Sequence, residues 1–278
     1  MTLTTDEQAI AEEIKELLQS DRLILPTLPE IALKAREVAQ DPDVTALGLS
    51  KVVQNDPALS ARLIRVANSP LMRGQRKIDD LQQAIARMGI VFAGNLISAL
   101  AMRQMFQATS STVDHLMHQV WSHSTQVAGI ASILCKHYTR LRPDQATLAG
   151  LVHQIGILPL LSFAEMRPEV LGGGFTLTRI VEHLHPEIGE SILQMWEFPP
   201  ELVAVPKGHL DLGRHVAQAD YVDLVTVANL ESQFGTEQAL SSEEMEAVTA
   251  FGRLGIKPEA LGAEEIRSEK AEAAQALN

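Results

Sequence analysis

The stretch "LVHQIGILPL", residues 151–160, reads as the end of a helix that carries one histidine into a core. Leu151, Val152 and Ile155 supply its apolar positions, Gly156 and Pro159 its ending, and His153 a side chain able to bind a metal. The next residue, Gln154, is a neutral amide that brings no charge to a metal beside His153. That position decides whether the chain does metal chemistry or keeps a fold without it.

Composition narrows what can surround this segment. The chain has 278 residues, enough for one large domain or two modest ones. Hydrophobic residues make up 46% and charged residues 21%, an ordinary globular balance, while 4% aromatic content beside abundant Ala, Leu and Ile favours helices over sheets. An all-α protein is expected. The net charge of −12 argues against general nucleic-acid binding, which rests on cations that neutralise phosphates. The single cysteine, Cys135, sits in "VAGIASILC" and reads as a small buried hydrophobe. The acidic N-terminus lacks the order of a signal peptide, and "GIVFAGNLISALAM" is too short to span a bilayer, so the protein is expected in the cytoplasm, away from membranes.

Periodicity predicts helices over residues 6–19, from Ile31 to before "DPDV", and from Pro57, with Asp56 as its cap and Pro57 in its first position. From Leu81 to Phe106 the apolar spacing is again helical, with Gly89 and Gly94 as junctions or close-packing points. Further helices are expected from about Val113 to His137, Gln145 to Ile155, Thr178 to Leu184, Pro186 to Trp196 and Val216 to Leu230. "GGGF" at 172–175 lacks the lysine of a phosphate loop and reads as a turn. The end, "EEIRSEKAEAAQALN", has a thin apolar stripe and is expected to fray. This divides the chain into an N-terminal helix (1–19), a main unit (20–232) with an N-terminal lobe (20–108) and a second lobe (109–232), and a C-terminal extension (233–278).

None of the nine histidines precedes residue 115. His123 shares a helical stripe with Val120, Val127, Ile130 and Leu134, so it faces inward. His183 and His185 flank a helix junction, and His209 follows Pro206. Imidazoles gathered from separate helices suit a divalent transition metal, yet hydrolysis also needs carboxylates to offset its charge and prepare a hydroxide. A single inward histidine is also satisfied as a hydrogen-bonded core residue.

"LPTLPE", "NDPALSARLIRVANSP", "VWSHSTQVA", "LVHQIGIL" and "HPEIGESILQMWEFPPELVAVPKGH" occur in the order of the motifs of the HDOD family, which this chain resembles over about residues 20–232. The resemblance implies an HD-domain-like helical bundle with an added N-terminal lobe, used in bacterial signalling. The chain looks like a stand-alone member, so any receiver or enzyme domain would act in trans. In the HD superfamily the metal set is a histidine, a His-Asp pair and a later aspartate. Carried over, these fall on His123, His153, Gln154 and Asn229, so both carboxylates have become amides. His185 and His209 resemble positions that two-metal relatives also use, and so mark a displaced site if one exists.

The resulting expectation is a non-catalytic regulatory module whose partner is a signalling protein or a small anionic ligand. No resident cofactor is expected, and at most a weakly held divalent transition metal. The rival is a metal-dependent phosphohydrolase of nucleotides or cyclic dinucleotides that uses His123, His153, His185 and His209. Arg62, Arg65, Asn68 and Arg73 cluster near the signature helix and are the expected partner surface, with Asn68 alternatively a helix cap.

Overall fold

A computed structural model describes residues 3–20, 22–72, 76–167, 170, 174–233, 236, 239–258 and 264–278, and among them there are helices and turns but no strand. Helices α1 (Thr5–Gln19), α2 (Glu30–Gln40), α3 (Ala46–Val53), α4 (Pro57–Ala67), α5 (Leu81–Met88) and α6 (Ile90–Ala101) precede a 3-10 turn at Met102–Met105. Then come α7 (Ser111–Tyr138), α8 (Pro143–Val152), α9 (Ile157–Glu165), α10 (Gly174–Met195), α11 (Pro200–Val203), α12 (Val205–Gly208), α13 (Tyr221–Ser232), α14 (Ser242–Glu246), α15 (Thr249–Leu254) and α16 (Glu264–Leu277). One buried apolar cluster runs through all of it, from Ala11 to Leu277.

Local chemistry sets the expected ends. Asp56 Oδ1 accepts the Leu59 N–H at 2.9 Å and Pro57 opens α4, so a donor that the helix leaves orphaned is paired. Between α5 and α6 the chain turns by 113° at Gly89, whose φ of 80° and ψ of 151° an L side chain rarely adopts. The span Pro143–Glu165 is apolar enough to cross a membrane, but 89% of its most apolar window is buried inside the fold. Its hydrophobicity is therefore accounted for by the core. Cys135 is fully buried there.

Several expected boundaries are corrected. Thr178–Leu184 and Pro186–Trp196 are not two helices: α10 runs through Pro186 without a break. The missing N–H and ring clash of an interior proline cost about 3 kcal/mol, and the stripe of Ile180, Leu184, Ile188 and Ile192, all buried, outweighs it. The helix expected from Val216 starts only at Tyr221, where Asp220 forms a capping box with Asp223. Residues before it are held out of helix by Thr249 Oγ1, which donates to the Arg214 carbonyl at 2.7 Å, and by the Arg214–Asp220 ion pair at 2.6 Å. Of "GGGF", Gly174 and Phe175 open α10, while Gly172 and Gly173 lie outside the described residues.

The C-terminal segment is not a loose tail. On α16, Ala273, Ala276 and Leu277 are buried, and Lys270, only 5% exposed, pairs with the buried Glu231 of α13 at 2.6 Å. Small alanines let the helix seat closely on α7, so a thin apolar stripe suffices.

Arg36 of α2 bridges to the segment that follows α10. Its guanidinium donates to the carbonyls of Trp196 (2.8 Å) and Glu197 (3.0 Å) and lies 4.7 Å from the Phe198 ring centre. Trp196 Nε1 in turn donates to the Pro26 carbonyl at 3.1 Å. Glu197 has φ of 54°, so Arg36 holds a strained turn by its carbonyl. The "LPTLPE" and "MWEFPP" segments, far apart in sequence, thus meet as one structural unit.

Alanine substitutions at two glycines should act in opposite directions. Neither Gly89 nor Gly252 has an atom within 4 Å of an added Cβ, so only conformation differs. Gly89→Ala should destabilise by about 1–3 kcal/mol, and Gly252→Ala, inside α15, should stabilise by roughly 0.5–1 kcal/mol. Urea unfolding of both variants checks this.

Candidate functional site

Two close approaches bring the histidines together. An added Cβ on Gly150 of α8 would lie 2.4 Å from Ala128 Cα of α7, and one on Gly156 would lie 2.1 Å from the His185 carbonyl of α10. Only glycine allows these backbones to approach so nearly. Helix α8 ends at Val152, three residues short of the expected Ile155, so His153 stands at its C-cap in the turn 153–156. His123 projects from α7, His185 from α10 and His209 from the end of α12.

The four rings form a chain. Centroid distances are 5.5 Å from His123 to His153, 5.0 Å from His153 to His209 and 5.8 Å from His209 to His185. His153, His185 and His209 are buried and His123 is half-buried. His153 Nδ1 meets the Gly150 carbonyl at 2.7 Å and His209 Nδ1 meets the Val205 carbonyl at 3.1 Å. A carbonyl only accepts, so both rings carry their proton on Nδ1 and leave Nε2 as a bare lone pair. Among the described residues those two Nε2 atoms and His185 Nδ1 are buried without a hydrogen-bond partner. His123 Nε2 donates to Asn229 Oδ1 at 2.9 Å. His183 is exposed on the other side of α10.

All four rings are held neutral. Burial pushes His123 below its usual range, opposed by the bond to Asn229. Burial, followed by the neighbouring His209 and His123, holds His153 well below it. Burial and then His209 lower His185 to about 3, and burial lowers His209 to about 4 against its backbone acceptors.

The metal implied by the HD resemblance does not fit this arrangement. Neutral imidazoles oriented by backbone carbonyls are good ligands singly. Yet among the described residues no group of three His, Cys, Asp or Glu side chains is disposed to hold one ion. Positions 154 and 229 offer amides in place of carboxylates, and Gln154 is half-buried with no side-chain hydrogen bond among the described residues. A dication here would lack charge compensation in an apolar surround.

The expected partner surface separates into parts. Arg62 lines a cleft beside α7, whereas Arg65 lines a different one with Lys77, Asp79 and Glu272. Asn68 is the C-cap of α4 in a right-handed conformation, and its amide is committed inward: Nδ2 donates to Ile64 O (3.0 Å) and Ile78 O (2.6 Å), and Oδ1 accepts Ile78 N (2.8 Å). Asn68 is thus a helix cap, as its alternative reading has it, in a right-handed conformation. Arg73 lies outside the described residues. Sequence reasoning missed Arg36 and Arg103, whose partners and neighbours come from distant segments.

Acid should weaken the fold through the histidines. The unfolded chain takes up these protons near pH 6.5, while the folded one holds them off to about 3 at His185 and about 4 at His209. Stability is therefore full above about pH 7 and falls as pH drops through 6.5 toward 4, by roughly 1 kcal/mol per pH unit for each buried ring. Thermal unfolding between pH 7.5 and 5 measures the slope. His209→Asn, which keeps a donor toward Val205 and removes the titration, should flatten it.

Comparison with known proteins agrees with the fold. The model of the HDOD domain matches residues 25–211. A solved structure of a candidate metal-dependent phosphohydrolase from Shewanella amazonensis SB2B is 30% identical, covers 99% of this chain and 100% of its own, and superposes with a TM-score of 0.90. An HDOD domain protein with unknown function from Geobacter sulfurreducens shares the fold at 22% identity, with 98% and 97% of the two chains covered and a TM-score of 0.68. A candidate signal transduction protein from Marinobacter aquaeolei VT8 does so at 21% identity and a TM-score of 0.61, covering 93% of this chain and 61% of its own. An uncharacterized protein of Treponema pallidum is 24% identical over 227 residues, and the chain spans 42% of that relative's length. With two thirds of its residues under the family model and a full-length structural counterpart at 30% identity, the chain belongs to the HDOD family.

Proposed function

We propose that the protein is a non-catalytic regulatory module of signal transduction, which works by binding a signalling protein or a small anionic ligand supplied in trans and holds no resident metal. One observation carries this reading: four neutral imidazoles surround the HD position without a carboxylate and without a three-donor group among the described residues. A metal hydroxide needs charge compensation and a nearby base to attack phosphorus, and this cluster supplies neither. What the cluster does supply is a packed polar seam between α7, α8, α10 and α12, suited to transmitting a change of packing among these helices.

The Shewanella protein's description as a candidate metal-dependent phosphohydrolase supports the rival reading, in which His123, His153, His185 and His209 hold a displaced ion. The two readings differ in a direct assay. Purified protein is offered p-nitrophenyl phosphate and bis(p-nitrophenyl) phosphate with manganese, iron(II), nickel or zinc. The regulatory reading expects no turnover above that of His153→Ala. Metal-dependent turnover abolished by His153→Ala would contradict it. Gln154→Asp, which restores a carboxylate, is expected to raise metal affinity at least tenfold over the wild type.

A further inference from the structure

On the opposite side of α7 from the histidines lies a cleft of about 210 Å³ between α4, the 3-10 turn after α6, and α7. Trp121 and His123 are two residues apart on one helix, which sets their side chains roughly 200° apart, so the cleft and the cluster share α7 without sharing a face. Leu59, Phe106 and Trp121 form an apolar floor, with the two aromatic ring centres 5.2 Å apart.

Arg62 and Arg103 flank this floor, both partly buried, and among the described residues neither has an ion-pair or hydrogen-bond partner. The one carboxylate in the lining, Asp56, is occupied as the cap of α4. His118, also in the lining, is taken up by Asp114, with Nδ1 2.8 Å from its carbonyl oxygen and 3.4 Å from its carboxylate. Trp121 is 3% exposed, and its indole Nε1 is buried with no acceptor among the described residues. An indole N–H can only donate, and with its atom shut off from solvent it lies beneath the floor, where its signal registers what packs on the ring. The cleft therefore offers two guanidinium groups over a flat apolar floor, and its one opposing charge, Asp56, is held at the N-terminus of α4, which leaves the lining with a net positive charge.

We propose that this cleft binds a small organic anion carrying one flat apolar ring, of the aromatic carboxylate class. Arg62 and Arg103 take the carboxylate through their planar donor forks, and the ring lies on Phe106 and Trp121. Size decides against larger anions: ligand pockets for drug-sized molecules run to about 300–1,000 Å³, and a nucleotide or cyclic dinucleotide exceeds a cleft of 210 Å³. This names a ligand class for the regulatory reading and rests on that reading for its consequence.

The test is a titration of 15N-labelled full-length protein with benzoate, followed by the two indole N–H signals, with Trp121→Phe used to assign them. Benzoate should shift the Trp121 signal saturably and leave that of Trp196 in place, and the neutral isostere benzamide should bind at least tenfold more weakly. Arg62→Gln with Arg103→Gln should weaken benzoate at least tenfold while the Trp196 signal stays where it is in the folded wild type. No saturable benzoate shift would overturn the proposal. So would equal binding of benzamide, which needs no mutant, or an equal effect of inorganic phosphate, which would mean that the ring plays no part. The titration reads binding alone and the hydrolysis assay reads catalysis, so this inference and the regulatory reading fail separately.

Discussion

The arrangement depends on burying imidazoles as neutral rings where four helices meet. Gly150 lets α8 lie against Ala128 of α7, and Gly156 lets the following turn reach the His185 carbonyl of α10. Any side chain at either position would push the helices apart and open the seam. With the backbones so close, His153 and His209 have no space to turn outward, and their Nδ1 protons go to carbonyls three and four residues earlier. The same burial that fixes their tautomers keeps them uncharged.

Carboxylates would change this balance. An aspartate at position 154 or 229 would bring a charge that requires a cation, and the site would be built around an ion. With Gln154 and Asn229 the seam is electrically neutral, and Asn229 instead accepts the His123 proton. A neutral seam can shift its packing without moving charge through an apolar core. That property suits the regulatory role proposed for the protein.

What the sequence made legible was local. The α4 start follows from Asp56 and Pro57, and the α5–α6 bend from Gly89, because caps and left-handed turns are decided within a few residues. His123 was placed inward by helical spacing, and the ordered signature segments identified the fold. Features set by distant contacts were not legible. Pro186 breaks a helix by local rules, but a buried stripe on both sides of it keeps α10 whole. Arg62 and Arg65, grouped because they are neighbours in sequence, line different clefts because distant segments divide that face of α4, the 3-10 turn and α7 beside Arg62 and α16 beside Arg65. The α16 stripe looked too thin to pack because nothing in its own sequence shows Glu231 waiting for Lys270. The Arg36 clasp joins segments about 160 residues apart, and no periodicity reports it.

We propose that the histidine cluster is a neutral packing seam rather than a metal centre. Nitrogen-15 chemical shifts of the histidine rings at neutral pH, before and after one equivalent of zinc, test it most directly. Nδ1–H tautomers at His153 and His209 and ring signals unchanged by zinc are the expected result. Coordination shifts at the Nε2 atoms of His153 and His209, complete at one equivalent, would contradict it.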